Sequence, residues 1–224
     1  MTQTPTRRTD PPTSGRRNNP RGEGARLREE LIDAACALLA ETGSASRLSI
    51  RAVAARTGVA ATSVYLHFAD LDEIKLAVAD RAFADLGAAR TAATAGIDDP
   101  AAELTARCLA YVDFALTHPG QYRLMFGADL PADLFTRSYE SAASPIRTAY
   151  ESLIDAIRRC QRTGATHDDT DPNRLGALLW PALHGQITLR LDRPHLPRPP
   201  LHELVTETVQ RLIGLHYGDS TPRP

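Results

Sequence analysis

The chain has 224 residues, 26 of them lysine or arginine and 27 aspartate or glutamate, so its formal net charge is −1. Its 42% hydrophobic and 24% charged residues exclude a disordered, collagen-like or disulfide-stapled protein. No apolar run approaches the ~18 residues of a membrane-spanning helix, and the first 25 residues contain no apolar export segment. We expect a cytoplasmic globular protein with no membrane partner.

A basic arm is predicted at the N-terminus. Residues 1–24 are rich in Thr, Pro, Arg, Asn and Gly without apolar periodicity, which predicts disorder. Between Arg7 and Arg28, seven arginines face only Asp10 and Glu23, a local net charge of +5. Such an arm is either a solubilising tail or a nucleic-acid contact, and both roles fit this composition.

Three helices are predicted after the arm. Apolar residues repeat at steps of three and four over 27–39, and Gly43 ends that first helix. Ser49 is placed to cap a second helix that Gly58 ends, and a third short helix is predicted over 61–68. Two short helices joined by a tight glycine-containing turn, packed on a longer one, are typical of a helix-turn-helix. An ordinary helical hairpin is the alternative.

Helical patterns continue beyond this segment, so the fold class is all-α. No run alternates with period two for long enough to make a sheet. The segment His118-Pro119-Gly120 is expected to be a break between helices. Further helices are predicted over 70–86, 104–115, 146–160, 172–191 and 201–215.

Candidate DNA contacts follow from helix-turn-helix geometry, in which the N-terminal end of the second short helix lies nearest the base edges. The predicted third helix has no Arg or Lys, so it cannot make the bidentate guanine contact. Phosphate and minor-groove contacts must then come also from its neighbours and the arm. The candidates are Ala61, Thr62, Ser63, Tyr65 and His67 on the third helix, Ser49 and Arg51 on the second, and Arg17, Arg21 and Arg26 near the N-terminus.

The helix-turn-helix segment also resembles a known family. Residues 48–59 read Leu-Ser-Ile-Arg-Ala-Val-Ala-Ala-Arg-Thr-Gly-Val and residues 62–68 read Thr-Ser-Val-Tyr-Leu-His-Phe. They resemble the DNA-binding domain of the tetracycline-repressor (TetR) family of one-component bacterial regulators. The resemblance implies a homodimer, a palindromic operator of double-stranded DNA, and an unknown small-molecule effector. It divides the chain into a basic arm (1–24), a three-helix DNA-binding domain (25–69), a helical ligand-binding and dimerisation domain (70–217) and a disordered tail (218–224).

Two positions depart from the family's pattern. Members commonly have lysine where Leu71 stands, as a phosphate contact, and serine where Ala60 stands, as a helix cap. Both changes are expected to weaken binding to DNA phosphates. We therefore expect the arginine arm to contribute more of the phosphate contacts.

The C-terminal part resembles a TetR subgroup with a Trp-x-x-x-His-Gly signature, here 180–185. Pro181 lies inside this motif, and because proline kinks a helix we expect space beside Trp180. Trp180 and His184 either pack with one buried hydrogen bond or touch the ligand. A mostly apolar pocket favours a lipophilic or aromatic effector. The pocket candidates, each also a candidate core residue, are Tyr111, Phe114, Tyr122, Met125, Phe126, Tyr150, Trp180 and His184.

The resemblance further implies that the last two helices pair with their copies in a four-helix dimer interface. One face of each helix is assigned to this interface. The candidates are Leu175, Leu179, Ala182, Gln186, Leu189, Leu204, Thr208, Leu212 and Leu215.

Other functional classes find little support in the sequence. It contains no His-Glu-x-x-His, no phosphate-binding glycine loop and no Gly-x-Ser-x-Gly, so we expect no catalytic residue and no cofactor. Residues 167–171 can be drawn as a metal cluster, but their place before Pro172 suits a solvated loop and helix cap, so no metal is expected. A helical small-molecule-binding dimer that has lost specific DNA binding is the main alternative.

Removal of residues 1–22 is expected to weaken operator binding and to flatten its salt dependence, because fewer phosphates are neutralised. The log–log slope of affinity against salt should fall by about one unit for each phosphate that the shortened chain no longer neutralises. Operator affinity of the intact and shortened chains, measured between ~50 and ~200 mM salt, checks this. An unchanged slope contradicts a role for the arm.

Overall fold

The computed structural model describes residues 23–127 and 129–215, and within these ranges the chain is almost entirely helical. One turn of 3-10 helix (Ala45–Arg47) follows the first helix, and one isolated antiparallel bridge joins Thr166 to Leu215. The all-α prediction is confirmed. Arg17, Arg21 and the tail (218–224) lie outside the described residues. The α-helices are α1 (Glu23–Thr42), α2 (Ile50–Thr57), α3 (Ala61–Val64), α4 (Leu71–Thr94), α5 (Pro100–Thr117), α6 (Pro119–Phe126), α7 (Ala132–Glu140), α8 (Pro145–Thr163), α9 (Pro172–Asp192) and α10 (Leu201–Ile213).

The bounds of α2 are set by two local signals. The Ser49 hydroxyl accepts a 3.1 Å hydrogen bond from the Ala52 amide, which confirms Ser49 as the cap. Gly58 ends the helix in the left-handed region, at a φ of 71° that glycine adopts without steric cost. Ser49 therefore determines where α2 begins, and Gly58 determines where the turn of the helix-turn-helix begins.

The third helix is shorter than predicted, since regular α-helix ends at Val64 and not at Phe68. Ala60 provides no side-chain hydrogen bond to its first turn, so the amide groups there lack the cap that serine would supply. Beyond Val64 the backbone tightens, and the His67 amide donates to the Val64 carbonyl at 2.9 Å in an i→i+3 turn. The recognition segment is thus one helical turn followed by tight turns.

Two hydrophobic cores organise the fold, and α4 takes part in both. Ile74 and Val78 are buried with α1, α2 and α3 in an N-terminal core. Phe83 and Leu86, one to two turns further along the same helix, belong to a C-terminal core that includes α5, α8, α9 and α10. The predicted division at residue 70 gave all of α4 to the second domain. Packing instead shares this helix, which also extends beyond its predicted end to Thr94.

Helix α6 is a second element that contacts both cores. The segment His118-Pro119-Gly120 was predicted as a break, but it opens α6, because a proline at the first helical position gives up no intrahelical bond. Leu124 is buried in the N-terminal core and Tyr122 in the C-terminal core. Gly120 lies so close to α1 that a Cβ there would overlap the carbonyl oxygen of Leu39.

Helix α7 was not predicted, and it contributes no fully buried residue to either core. It lies against α8 and is joined to α4 by a 2.9 Å hydrogen bond from the Ser138 hydroxyl to the Asp80 carboxylate. Burial raises the pKa of Asp80, while this hydrogen bond opposes the rise. The absence of a buried stripe explains why the apolar pattern did not identify α7.

The last two helices follow the predicted course with one difference. Asp171 caps α9 by accepting a 3.0 Å hydrogen bond from the Asn173 amide, and α9 continues through Pro181 to Asp192. Helix α10 ends at Ile213 and not at Leu215, because Gly214 adopts a φ of 63° and the chain leaves the helix there. None of the described helices combines the length and the apolarity that crossing a bilayer demands.

Substitution Gly120→Ala is expected to lower the free energy of unfolding by about 1–3 kcal/mol, because the added methyl group meets backbone that cannot rotate away. The matched control is Gly87→Ala in α4, where a Cβ meets nothing within 4 Å. That change should stabilise the helix by about 0.5–1 kcal/mol. Urea unfolding of both variants checks the pair, and equal stabilities would contradict the close packing of α6 on α1.

Candidate functional site

The first candidate surface is the exposed side of the recognition segment, residues 61–67. Thr62 and Tyr65 are exposed, whereas Ala61, Ser63 and His67 are partly buried. The Tyr65 residue is 57% exposed, and its neighbour Leu66 is 78% exposed. Because Val64 and Phe68 hold the other side of the segment in the N-terminal core, the exposed side chains have a fixed orientation.

The start of α1 lies beside this segment. A Cβ built at Gly24 would be 3.8 Å from His67 Cε1. The Arg28 guanidinium lies over the Phe68 ring, 4.9 Å from its centroid. Arg26 is exposed and forms a 2.8 Å ion pair with Glu30, so its charge is partly compensated. The structure therefore places the point from which the arm leaves α1 next to the recognition segment.

Positive charge also flanks the segment on α2 and the preceding 3-10 turn. Arg51 and Arg47 are both exposed, and neither forms an ion pair with any residue of the described ranges. Arg56, in contrast, is held by Glu41 at 2.8 Å, on α1. Arg51 is therefore an available cation on α2, and its assignment to DNA binding stays a prediction; Arg47 is a second available cation, which was not among the sequence-based candidates.

The second candidate site is a cavity of about 230 Å³ surrounded by helices α4 to α9, here called the aromatic cavity. Four predicted pocket residues line it: Tyr111, Phe126, Tyr150 and Trp180. The space expected beside Trp180 is thus present. Sequence reasoning missed the remaining lining residues, which are Phe83, Leu86, Arg90, Phe135, Tyr139, Ile146, Ala149 and Leu153.

Four side chains form a hydrogen-bonded series between the aromatic cavity and a neighbouring groove. The residues that line this groove include Tyr122, Arg123, His184, Thr188 and Asp192. The Trp180 indole N–H donates to the Tyr111 hydroxyl at 3.3 Å, and the two hydroxyls of Tyr111 and Tyr122 are 2.9 Å apart. The Tyr122 hydroxyl lies 2.6 Å from His184 Nδ1. His184 Nε2 lies 3.5 Å from the Thr188 hydroxyl, a weak contact at the far end. The interpretation of Trp180 and His184 as hydrogen-bonded packing residues fits this arrangement, and Trp180 also borders the cavity.

The protonation states of these side chains decide which atom donates in each of the hydrogen bonds. Burial raises the pKa of Tyr111 to about 12 and raises that of Tyr122 as well, so both hydroxyls keep their protons. Burial lowers the pKa of His184 below its ordinary 6.5, so the imidazole is neutral near pH 7 and Nδ1 accepts from Tyr122. Tyr111 then donates to Tyr122, so each of the Trp180, Tyr111 and Tyr122 donors has an acceptor.

Arg123 connects the two cores beside the groove that Tyr122 and His184 line. One guanidinium nitrogen, Nη1, donates to the Gly43 carbonyl at 3.2 Å, just beyond the end of α1. The other, Nη2, lies 3.1 Å from the Asp192 carboxylate at the end of α9. A displacement of α9 relative to α6 would therefore be felt at the end of α1.

Four predicted pocket residues do not line the aromatic cavity: Tyr122 and His184 line the neighbouring groove, and Phe114 and Met125 line neither, which corrects their assignment. Phe114 stacks on the His118 ring at 4.8 Å and lines an open groove between α4 and α5. Met125 is 1% exposed in the C-terminal core and lines neither the aromatic cavity nor the neighbouring groove. Side-chain type alone did not distinguish the helix faces that these residues occupy.

Three predicted interface residues are also corrected. Leu175, Leu179 and Leu215 are at most 8% exposed, because they fill the C-terminal core of their own chain. The inward face of α9 is wider than expected, since it includes Leu175 and Leu179 as well as Ile187 and the cavity-facing Trp180. The candidates that keep exposed surface are Ala182, Gln186 and Leu189 on α9 and Leu204, Thr208 and Leu212 on α10.

A metal centre finds no basis in the described ranges, which contain no group of three or more His, Cys, Asp or Glu side chains arranged to hold an ion. The loop before α9 is instead organised by hydrogen bonds. Gln161 Nε2 donates to the carbonyls of Asp168 and Thr170 at 2.9 and 2.7 Å. The Asp168 carboxylate accepts hydrogen bonds from the Thr170 hydroxyl and the Thr170 amide, and these two bonds lower the pKa of that carboxyl.

Comparison with known families identifies both halves of the chain. Residues 31–78 match the model described as "Bacterial regulatory proteins, tetR family", and residues 104–213 match "Tetracyclin repressor-like, C-terminal domain". A curated relative, an uncharacterized HTH-type transcriptional regulator of Haemophilus influenzae, is 46% identical over 57 residues. That match spans 25% of this chain and 28% of the relative's length.

Solved structures share the fold along most of the chain. A protein with unknown function from Rhodococcus sp. RHA1 is 24% identical with a TM-score of 0.70, covering 88% of this chain and 99% of its own. The TetR family regulator PfmR from Thermus thermophilus is 20% identical, with a TM-score of 0.60 and coverage of 82% and 97%. The fatty acid degradation regulator FadR from Bacillus halodurans is 15% identical, with a TM-score of 0.65 and coverage of 88% and 97%.

Acidification is expected to destabilise the fold through His184. Because its pKa is lower in the folded chain than the ordinary 6.5, the unfolded chain binds more protons as the pH falls below 6.5. The contribution of neutral His184 to the free energy of unfolding is therefore fully present above pH 6.5. This contribution is lost as the pH falls through the folded-state pKa. Between pH 7.5 and 5, the free energy of unfolding should therefore fall less in His184→Gln than in the parent chain.

The matched control is His195→Gln, which replaces an exposed histidine. Urea unfolding at a series of pH values measures both variants. If His184→Gln and His195→Gln show the same pH dependence, burial of a neutral His184 is not the cause.

Proposed function

Because this chain belongs to the tetR family of bacterial regulatory proteins, we propose that it is a one-component transcriptional repressor released from its operator by a small, mostly lipophilic effector. It binds a palindromic operator as a homodimer, in the cytoplasm. The observation that carries this proposal is the recognition segment, which exposes Thr62, Tyr65 and Leu66 on a rigid base while arginines flank it. Trp180 and His184 support the Trp-x-x-x-His-Gly subgroup, since both belong to the hydrogen-bonded series beside the cavity.

Base recognition on this proposal relies on short polar and apolar contacts. Thr62 and Ser63 lie at the N-terminal end of α3, where hydroxyls reach bases or phosphates. Tyr65 offers a phosphate donor, and Leu66 an apolar surface that suits a thymine methyl group. Specificity then depends on shape and methyl contacts more than on bidentate hydrogen bonds.

Phosphate contacts come from residues around the recognition segment. Arg51 and Arg47 supply exposed charge on α2 and the 3-10 turn before it, and Arg26 supplies charge at the start of α1, which lies beside the recognition segment. Lysine is absent at Leu71, and the nearby Lys75 is already engaged with Asp72 at 2.8 Å. Flanking arginines thus replace the phosphate contact usual at the start of α4.

The dimer forms through the outer faces of α9 and α10. Leu178 and Leu189 are each 52% exposed on α9, and because they are eleven residues apart they lie on the same side of the helix. Gln186 donates a 2.8 Å hydrogen bond to Thr208, which fixes the two helices relative to each other. Pairing with a second copy would bury these leucines in a four-helix interface.

Release depends on coupling between the aromatic cavity and the recognition segment. Phe83 and Leu86 line the cavity from α4, and Ile74 and Val78 of the same helix hold the N-terminal core. An effector that favours one position of α4 therefore changes the spacing of the two recognition segments. By linkage, effector weakens operator binding by the factor with which operator weakens effector binding. Equal effector affinity for free and operator-bound protein would rule the coupling out.

The alternative is a dimer that binds a small molecule but no longer reads DNA. It draws on two observations, the lack of Arg and Lys in the recognition segment and the presence of Leu71 where family members commonly have lysine. Titration with a duplex from the chain's own promoter region and with a scrambled duplex separates the two. Specific binding should exceed the scrambled control by about 10³-fold or more at ~150 mM salt.

The double substitution Arg51→Ala with Tyr65→Ala is expected to lower operator affinity by about 10- to 1,000-fold, because it removes a phosphate contact and a contact of the recognition segment. Fluorescence anisotropy with the operator duplex measures the loss. The matched control is Arg162→Ala, which removes an exposed charge from α8. Dimerisation and helical content should be unchanged in all variants. Retained operator affinity in the double variant would contradict the assigned DNA-binding surface.

A further inference from the structure

Arg90 is the one charged residue among the twelve that line the aromatic cavity. Seven of the others are aromatic and the remaining four are aliphatic, so the walls are almost entirely apolar. Arg90 lies on α4 and is 7% exposed, buried to a degree that is rare for arginine. A buried cation in an apolar wall needs a physical explanation.

The contacts of Arg90 leave its charge without a counter-ion. Nη1 donates a 2.9 Å hydrogen bond to the Ala149 carbonyl, and the guanidinium lies over the Tyr111 ring, 5.3 Å from its centroid. Nε is buried and has no hydrogen-bond partner in the described residues. No carboxylate of the described ranges lies within ion-pair distance, whereas Arg107 and Arg159 both pair with Glu103 nearby.

Burial of an unpaired cation is costly. The cost appears as a lowered pKa of Arg90, caused first by burial. A guanidinium nevertheless keeps its proton in proteins, so the charge stays and remains uncompensated. An anion that enters the cavity would supply the missing partner and recover part of this cost.

The chemistry of the cavity restricts the anion to a single charge. One cation balances one carboxylate, whereas a phosphate monoester carries about −1.5 to −2 charges near pH 7 and would bring excess charge into an apolar space. A planar carboxylate also matches the geometry of a guanidinium. A volume of about 230 Å³ is below the ~300–1,000 Å³ typical of sites for drug-sized ligands, so the molecule is small.

We propose that the aromatic cavity binds a small apolar monocarboxylate, with the carboxylate on Arg90 and the apolar body among Phe83, Phe126 and Trp180. This inference rests on the proposed function in one respect, since it takes the cavity as the effector site. It adds the chemical class of the effector and assigns its anchor to α4. Because α4 also holds the N-terminal core, the ion pair forms on a helix that both cores share.

Calorimetry on the full chain without DNA tests the proposal. The probes are 4-phenylbutanoate, the uncharged 4-phenylbutanamide, and octanoate, whose body is not aromatic. We expect both acids to bind, and 4-phenylbutanoate to bind about 10- to 100-fold more tightly than its amide, as a charge-assisted pair requires. Equal binding of acid and amide overturns the proposal, as does failure of both acids to bind at about 1 mM.

Variants locate the effect at Arg90. Arg90→Gln should abolish the preference for acid over amide, and Arg90→Lys should keep part of it, because the charge remains while the planar geometry is lost. Arg162→Gln is the matched control, since it removes one exposed charge from the same domain. An acid preference that persists in Arg90→Gln overturns the assignment. If Arg90→Gln does not fold, the test of the proposal is the ratio of acid affinity to amide affinity, measured in Arg90→Lys and in the parent chain.

Operator binding is measured separately, so the two proposals fail in different ways. A chain that binds its operator but neither acid contradicts the inference about Arg90 alone. A chain that prefers acid over amide through Arg90, yet keeps the same operator affinity when acid is bound, supports the inference and contradicts the proposed release by effector.

Discussion

The structure depends on the burial of one helix, α4, in two separate cores. Its N-terminal part packs through Ile74 and Val78 against the helix-turn-helix, and its later part packs through Phe83 and Leu86 against the remaining helices. A rigid helix transmits displacement along its axis, because its backbone hydrogen bonds resist bending. Whatever fills the space beside Phe83 therefore acts on the same element that positions the recognition segment.

Contacts through α6 add a second connection between the cores. Gly120 permits α6 to approach the α1 backbone closely, and Arg123 joins the end of α1 to the end of α9. Packed interfaces of this kind favour discrete arrangements over continuous deformation. The hydrogen-bonded series that ends at His184 lies next to this connection, so the polar interior, the cavity and the joint between the cores form one contiguous region.

The two sites differ in where their charged residues lie. The recognition segment contains no arginine or lysine, and in the proposed function the long-range attraction to phosphate comes from arginines outside it. In the aromatic cavity the walls are apolar and a single buried arginine provides the only charge. On the two proposals made above, the first site would attract a polyanion from solvent, and the second would select among small molecules by the cost of leaving Arg90 unpaired.

The sequence by itself determined the all-α class, the bounds of α2 from Ser49 and Gly58, and the family, because caps, glycine stops and helical periodicity act over a few residues. It also gave Tyr111, Phe126, Tyr150 and Trp180 as candidates for both core and pocket, and these four line the aromatic cavity. Only the tertiary structure decided which side of α9 is buried, since Leu175 and Leu179 belong to the core by virtue of helices far away in the chain. Arg90 continues the stripe of Phe83 and Leu86 at steps of three and four, a signal visible in the sequence. Its meaning required the fold, because only packing shows that no carboxylate of the described residues meets this charge.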